Sequence, residues 1–551
     1  MLIPTEQGMI DECRMRMVRR CHGANGIFGG GFTRHFNALW AFVLLTLVLC
    51  SAVAESAPPA VMRLALSAEP PTLDSAKATD RLSAFVLGHT HEGLLRYGAD
   101  GQLEGAVAER WEIQSDYARF WLRPDARWED GVPVTAHDFV FAWRRVVDPA
   151  TAAPYAPLLG SVQHAEAIMA GKAAAASLGV EAVSDRELKV RFDRPCPWFA
   201  ALAAYTTLLP QREDDLSNHG DRYAADVGRF LGNGPFRLTQ WVHGASLTLQ
   251  RNPNFRDRQH VYLERIEVPY ITADPSARLN LFLDGQIALT PVAPEQSASV
   301  LQRRVRIRRF DDGSLNFLVF NFRAQRATQD RVLRRAIRAA INPERIVNQV
   351  LRLPGALPAD SLYPRFLSLD GVRLSEAAAF VTAGWSAPPA PALTEPLMLL
   401  VNDSPAAIKV AEYIQAQLGR RGIEVRLDRQ IFKMRLQKMR AGEFDLALTN
   451  WGPDFDDPMT FADLLASWNP NNRGGFQHEE YDRLITRAAE SNDPSTRLRA
   501  FLDMQRIVVD EVPVIPLYEN AELYLQQPGI KGILRLPFGG DPVLRYARWV
   551  E

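Results

Sequence analysis

The chain has 551 residues, 47% hydrophobic and 23% charged, with 63 Lys and Arg against 64 Asp and Glu for a net charge of −1. That length exceeds a single ordinary core and predicts two or three domains. The near-neutral balance argues against a nucleic-acid partner, which calls for a basic surface, and gives no long-range attraction to an anionic membrane.

The first segment reads as a targeting sequence and not as part of the fold. Arg14, Arg16, Arg19, Arg20 and Arg34 precede an uncharged apolar run from Ala38 to Val48, and Ala52-Val53-Ala54 has the small-x-small form of a signal-peptidase site. The run is shorter than the roughly 20 residues a spanning helix needs, so residues 1–54 are expected to be a cleaved signal peptide. Leu47-Val48-Leu49-Cys50 approximates a lipoprotein box, but Leu49 is bulky where a small side chain is wanted. Export to the periplasm with cleavage is therefore preferred to anchoring at Cys50. Cys13, Cys21 and Cys50 leave with the leader, and Cys196 alone cannot form an internal disulfide. A small buried hydrophobe is its expected role.

Val61-Met62-Arg63-Leu64-Ala65-Leu66 alternates as a first strand, and a turn-rich loop comes next at 69–74. Residues 120–148 predict a strand, a tight turn at Asp130-Gly131 and a helix entered at Thr135. Asp138 stands where a capping box has Glu or Gln, and Phe139, Val140, Trp143 and Val147 recur at helical spacing. Short strands and helices alternate up to about residue 210, among them a strand at 187–192. Gly232-Asn233-Gly234-Pro235 turns into Phe236-Arg237-Leu238, and Leu247-Thr248-Leu249 runs to an Asn252-Pro253-Asn254 turn. A strand near 317 leads to a helix over 330–340, and Asn342-Pro343 starts the next.

The clearest pattern lies between 397 and 449. Strand 397–401, a helix capped by Ser404-Pro405 and ended at Gly422, strand 423–427, a helix over 432–440 and strand 444–448 succeed one another. Such alternation predicts an open α/β sheet, whose ligands gather beyond the carboxyl ends of the strands. There the sequence reads Asn450-Trp451-Gly452-Pro453-Asp454-Phe455-Asp456-Asp457-Pro458. A carboxylate walled by Trp451 and Phe455 suits an ammonium group. Asp456 and Asp457 are expected to cap the next helix, 459–465, whereas Asp454 lies too early to cap.

Several motifs together carry a resemblance: L-R-x-D-A and W-E-D-G-x-P-V-T-A-x-D-F-V within 122–140, Asn233-Gly234-Pro235-Phe236, Arg251-Asn252-Pro253, the helix positions Leu333, Ala336, Ile337, Ala340 and Ile341 with Asn342, and the segment Asn450 to Phe461. The chain resembles the oligopeptide-binding proteins of ABC importers, in family 5 of the bacterial extracellular solute-binding proteins. The resemblance implies an α/β periplasmic-binding-protein fold of type II, two lobes closing over a cleft, with an extra domain inserted in the N-terminal lobe. On that reading 55–91, 211–314 and 519–551 form the core of lobe I, 92–210 the inserted domain and 315–518 lobe II, with chain crossings near His91, Pro210, Ser314 and Tyr518. It further implies that Asp454 pairs with the peptide α-amino group, that Tyr155 and Trp451 line the same cleft, and that Phe432 stands at a pocket aromatic. Phe455 joins them as the second aromatic flank. The implied partners are oligopeptides, an ABC permease and its ATPases, with a monomeric receptor and no cofactor.

Two positions depart from the family pattern. Leu448 replaces an arginine three residues before Trp451, leaving Arg440 or Lys438 to meet a peptide C-terminus, and Gly452 replaces a cysteine. An enzyme is disfavoured, because no Walker loop, H-E-x-x-H helix or G-x-S-x-G elbow is present. His89-x-His91 is the sole close histidine pair and 454–459 does not fit a calcium loop, so no metal site is expected. A murein peptide, haem, a metal chelate or a glycan on the same fold, or a sensor co-receptor, are the alternative readings.

Overall fold

The computed structural model describes residues 60–303, 305–378, 388–538 and 542–550. The leader, its cleavage point and Cys50 lie outside them. Among the described residues no helix is long and apolar enough to cross a membrane.

Three sheets carry the architecture. Val61–Leu66 pairs in parallel with Arg265–Ile271, and antiparallel pairing continues through Ser246–Arg251 to Phe236–Val242. A second sheet, all antiparallel, orders Ala108–Ile113, Tyr117–Leu122, Glu187–Arg191 and Val180–Ser184. Against it packs the helix Ala136–Val147, burying the four predicted side chains Phe139, Val140, Trp143 and Val147. Asp138 fixes the start of that helix. Its Oδ2 accepts from the Thr135 N–H at 2.7 Å and from Trp128 Nε1–H at 3.3 Å, so the turn and the helix share one carboxylate. Cys196 is 1% exposed in the same core, as its sequence setting predicts.

The third sheet is the largest, in the order Leu289–Pro291, Val514–Gln526, Ile307–Phe320, Leu446–Trp451, Leu397–Asn402, Val425–Gln430. Its far end is the expected α/β unit: Leu397–Asn402 is parallel to both neighbours, and helices Pro405–Gly419 and Phe432–Ala441 connect the strands. Ser404 Oγ accepts from the Ala407 N–H at 3.4 Å, and Gly442 takes the left-handed cap at φ +72°. The sheet as a whole is mixed, because Ile307–Phe320 is antiparallel to both its neighbours.

Ile307–Phe320 and Val514–Gln526 pair along nearly their whole length. Their ladder runs from Ile307 opposite Leu525 to Asp311 opposite Ala521, slips, and resumes from Leu315 opposite Glu519 to Val319 opposite Val514. One side of the slip packs with the cores under the first sheet, and the other with the cores on the two faces of the large sheet. Gly313 lies in the slip at φ +73°, where a Cβ would stand 2.6 Å from Pro537 Cβ and 2.9 Å from Pro453 Cγ. Any side chain is excluded there both by the backbone and by space.

A buried clasp ties the body containing residues 94–208 to the first sheet. Asn233 brackets the backbone of Glu92, accepting from its N–H and donating to its carbonyl, both at 2.9 Å. A Cβ on Gly234 would lie 2.6 Å from the His91 nitrogen. The Glu92 carboxylate, 5% exposed, pairs with Arg545, with Arg256 at 3.1 Å and with Arg96 at 2.5 Å. Burial alone would push its carboxyl up, but these three guanidinium groups hold it down at about 2. Beside it, His89 and His91 are buried as neutral rings, and burial lowers both to about 4. His89 Nε2 accepts from the Leu544 N–H at 2.9 Å, so this pair secures the C-terminal segment.

A histidine whose folded pKa lies below its ordinary value supports the fold fully above that value and loses this support as pH falls through the gap. We therefore expect the melting temperature to drop steeply between pH 6.5 and about 4. The paired variant His89→Gln, His91→Gln should flatten that slope. A wild-type melting temperature that stays level across this range would contradict the clasp.

Candidate functional site

Strand Leu446–Trp451 delivers its last residue to the carboxyl edge of the parallel unit, and the chain then turns through Gly452-Pro453 to Asp454. The Asp454 N–H donates to Thr460 Oγ1 at 3.1 Å, which anchors the turn from the main chain and leaves the side chain free to face outward from it. Among the described residues no side chain and no backbone group donates to the Asp454 carboxylate. Burial pushes its carboxyl up to about 6, with no cation near enough to offset the effect.

Three hollows meet at this residue. A cleft of about 680 Å³ is walled by Trp198, Trp451, Phe455 and Asp463. A second of about 350 Å³ runs toward the strand slip, past Tyr155, Tyr205, Asp312, Ser314 and Asn450. A third of about 130 Å³ reaches back to Glu92, Tyr97 and Arg545. Asp454 is thus the point common to spaces bounded by all three sheet-bearing parts of the fold.

Four of the five residues singled out in the sequence converge here. Trp451 and Phe455 wall the large cleft, and Phe455 stacks on Trp198 with centroids 5.9 Å apart and planes 10° apart. Tyr155 shares the second hollow with Asp454 and meets Tyr205 edge-on at 5.8 Å. Phe432 does not reach Asp454. It is 62% exposed, at the mouth of a separate chamber of about 260 Å³ that also touches Trp451. The first position of the helix Phe432–Ala441 points off the sheet, which is why an aromatic there borders a rim.

The other carboxylates divide as helix chemistry dictates. Asp457 is buried, accepts from the Met459 N–H at 2.9 Å and forms a two-pronged pair with Arg497, 2.8 Å on each arm. Its expected capping role is met. Asp456 is exposed and caps nothing among the described residues, because Asp457 already occupies the position from which Met459 is reached.

Sequence reasoning missed Tyr205, Trp198 and Arg435. Tyr205 lies in the second hollow, where Tyr155 and Asp454 add to burial in pushing its phenol up. Lys438 is committed to Asp428 at 2.6 Å, and neither it nor Arg440 lines the chamber or the clefts, so the expected stand-ins for the missing arginine are not placed to act. Arg435 instead enters the chamber beneath Trp451 and donates to the carbonyl of Leu448 at 2.9 Å. Spacing carried that signal: Arg435 sits four residues before buried Met439, on the same helix face.

Residues 102–473 match the family model described as bacterial extracellular solute-binding proteins, family 5 Middle. The chain is 32% identical to the probable deoxycholate-binding periplasmic protein YgiS of Escherichia coli, over 86% of this chain and 91% of that protein. Among solved structures it overlays on Listeria monocytogenes OppA bound to peptide with a TM-score of 0.67 and 30% identity, over 90% of this chain and 100% of that one. It overlays on the unliganded open form of the murein tripeptide-binding protein MppA with a TM-score of 0.77 and 26% identity, over 90% and 98%. The fold is therefore the two-lobed type II solute-binding architecture.

A carboxyl raised to about 6 in the fold costs stability whenever it is ionised, and that cost disappears as pH falls toward its ordinary 3.8. Asp454→Asn should raise the stability of the ligand-free protein at pH 7.5 by about 1–3 kcal/mol. Thermal melts should show the two proteins converging near pH 4. A destabilised variant at pH 7.5 would mark Asp454 as scaffold.

Proposed function

The chain belongs to the bacterial extracellular solute-binding proteins of family 5, and from that premise we propose that it is the periplasmic receptor of a peptide ABC importer. It captures oligopeptides between its lobes and hands them to an inner-membrane permease. Partner ATPases supply the energy, the receptor acts as a monomer, and it catalyses nothing itself. One observation carries the reading: a desolvated carboxylate without a counter-charge, at the junction of three hollows. A peptide's α-ammonium supplies that charge and several N–H donors at once, and charge-assisted bonds are roughly twice as strong as neutral ones. Trp451 and Phe455 exclude water from the pair and so strengthen it.

The large cleft leaves room for varied side chains, with water completing the unmade bonds. An extended peptide main chain adds affinity that is blind to sequence. Residues 55–91, 211–314 and 519–551 form the core of one lobe, 92–210 its insert and 315–518 the second lobe. Closure turns on the slip at Asp312-Gly313-Ser314, with its partner strand at 519–521. The higher TM-score against an unliganded open form than against a peptide-bound one fits a receptor standing open.

The test is calorimetric titration with one tripeptide in two forms, free and N-acetylated. The free form should bind, and acetylation or Asp454→Asn should weaken binding at least about 100-fold, as loss of a buried charged pair does. Affinity for the free form should fall about tenfold per pH unit below 6, since only the ionised carboxylate is competent. Equal affinity for both forms would overturn the reading.

A further inference from the structure

The largest hollow at Asp454, the cleft of about 680 Å³, is lined by residues between 157 and 202 and by residues between 451 and 490. Its charges are unbalanced. Asp454, Asp463, Glu166 and Glu490 border it, and among the described residues Arg194 is the one cation that does so. Arg194 is committed to Glu166 at 2.5 Å, and both of those side chains are more than half accessible. Glu490 is exposed as well, whereas Asp463 is half-buried, directly after the short helix Met459–Ala462. Asp463 Oδ2 accepts from Asn469 Nδ2 at 2.5 Å, and among the described residues nothing donates to Oδ1. Burial raises its carboxyl, and the Asn469 amide and Arg194 offset this only in part.

The walls around this acid are aromatic. Trp198, Trp451, Phe455 and Trp468 border the same cleft. An arginine or lysine side chain matches such a space, because its apolar stem lies along aromatic surface while its cationic head seeks a ring face and a carboxylate. An acidic side chain would meet like charge there in a partly desolvated space. A further donor stands at the same place: the indole Nε1 of Trp451 is buried without an acceptor.

We propose that Asp463 makes this cleft a receptor for a basic side chain on the first residue of the ligand, the head pairing with its carboxylate and the stem lying along Trp198 and Phe455. The inference rests on the peptide-receptor reading and names a substrate class for it, peptides that begin with arginine or lysine. With the α-ammonium at Asp454, the Trp451 N–H donates to the carbonyl of that first residue. The main chain then leaves through the second hollow, past Asn450 and Gly452 toward Ser314. The first side chain is left to the large cleft, which Asp454 and Asp463 share.

Calorimetry on the mature protein tests this with tripeptides X-Ala-Ala in which X is arginine, citrulline or glutamate. Citrulline keeps the shape of arginine and lacks its charge. The arginine peptide should bind about tenfold or more tighter than the citrulline peptide, as a charge-assisted pair gives, and the glutamate peptide should bind weakest. Asp463→Asn keeps the side-chain size and still accepts from Asn469, and in it the ratio of arginine to citrulline affinity should fall toward one. Asp463→Glu should retain part of it. Thermal melts separate this from misfolding: Asp463→Asn removes a partly desolvated charge and should be at least as stable as wild type at pH 7.5. A wild-type ratio near one would overturn the proposal, as would an unchanged ratio in Asp463→Asn or an equal preference for arginine moved to the third position. Asp454→Asn distinguishes the two readings, since it should weaken arginine and citrulline peptides alike and leave their ratio intact. Failure of the ammonium reading looks different: Asp454→Asn and N-acetylation would then leave affinity unchanged while the ratio still depended on Asp463.

Discussion

The site depends on a backbone constraint at Gly313. Two long strands pair on either side of a slip in register, and the slip is passable because one residue there has no side chain. Its positive φ favours glycine, and the space a Cβ would need is taken by Pro537 and Pro453. Pro453 is the residue before Asp454. The slip and the Asp454 turn are therefore close neighbours, and a side chain at Gly313 would press on the loop that presents the acid.

Electrostatics separates structural from functional charges in this chain. The buried ions that hold the fold come in complete sets: Asp457 with Arg497, Glu92 with three arginines, Arg145 with Asp74 at 2.6 Å. In each set opposite charges meet, so much of the desolvation is offset in place, although Arg256 and Arg545 each keep a buried Nε without an acceptor. Asp454 and Arg435 are incomplete, one an anion without a cation and the other a cation without an anion. Incompleteness costs stability, and a protein keeps such groups where a partner arrives from outside.

Much of the fold was legible. The alternation at 61–66, the Ser404 cap and the glycine stop at Gly422 depend on local chemistry, and the structure places them as the sequence predicts. Asp454, Trp451 and Phe455 were legible because the end of a strand fixes where the next loop lies. The mixed character of the large sheet was not, since it depends on Ile307–Phe320 pairing with a strand far along the chain, Val514–Gln526. Arg435 escaped for a different reason. An arginine on an amphipathic helix is ordinarily assigned to solvent, and only the burial of Met439 four residues on shows that this face turns inward. Phe432 was expected at a pocket aromatic; it lines the chamber of Arg435 from an exposed rim and not the hollows of Asp454. Two of the motifs that carried the family resemblance have structural work in the fold. Asn233 and Gly234 seat the Glu92 clasp, and Asn252 Nδ2 holds the Gly234 carbonyl at 2.9 Å.

The two incomplete charges also differ in which parts of the chain wall them. Every residue lining the Arg435 chamber falls between Phe317 and Val514. Asp454 differs, for its hollows are completed by Tyr155, Tyr205 and Trp198 from the other body. Bringing those aromatic walls up lowers the local dielectric and strengthens the ammonium–carboxylate pair as it closes. On the proposed reading, closure is favoured by the ligand end that meets Asp454. A conformational equilibrium moves only by the difference in affinity between its two states, and walls drawn from distant parts of the chain are what can differ between them.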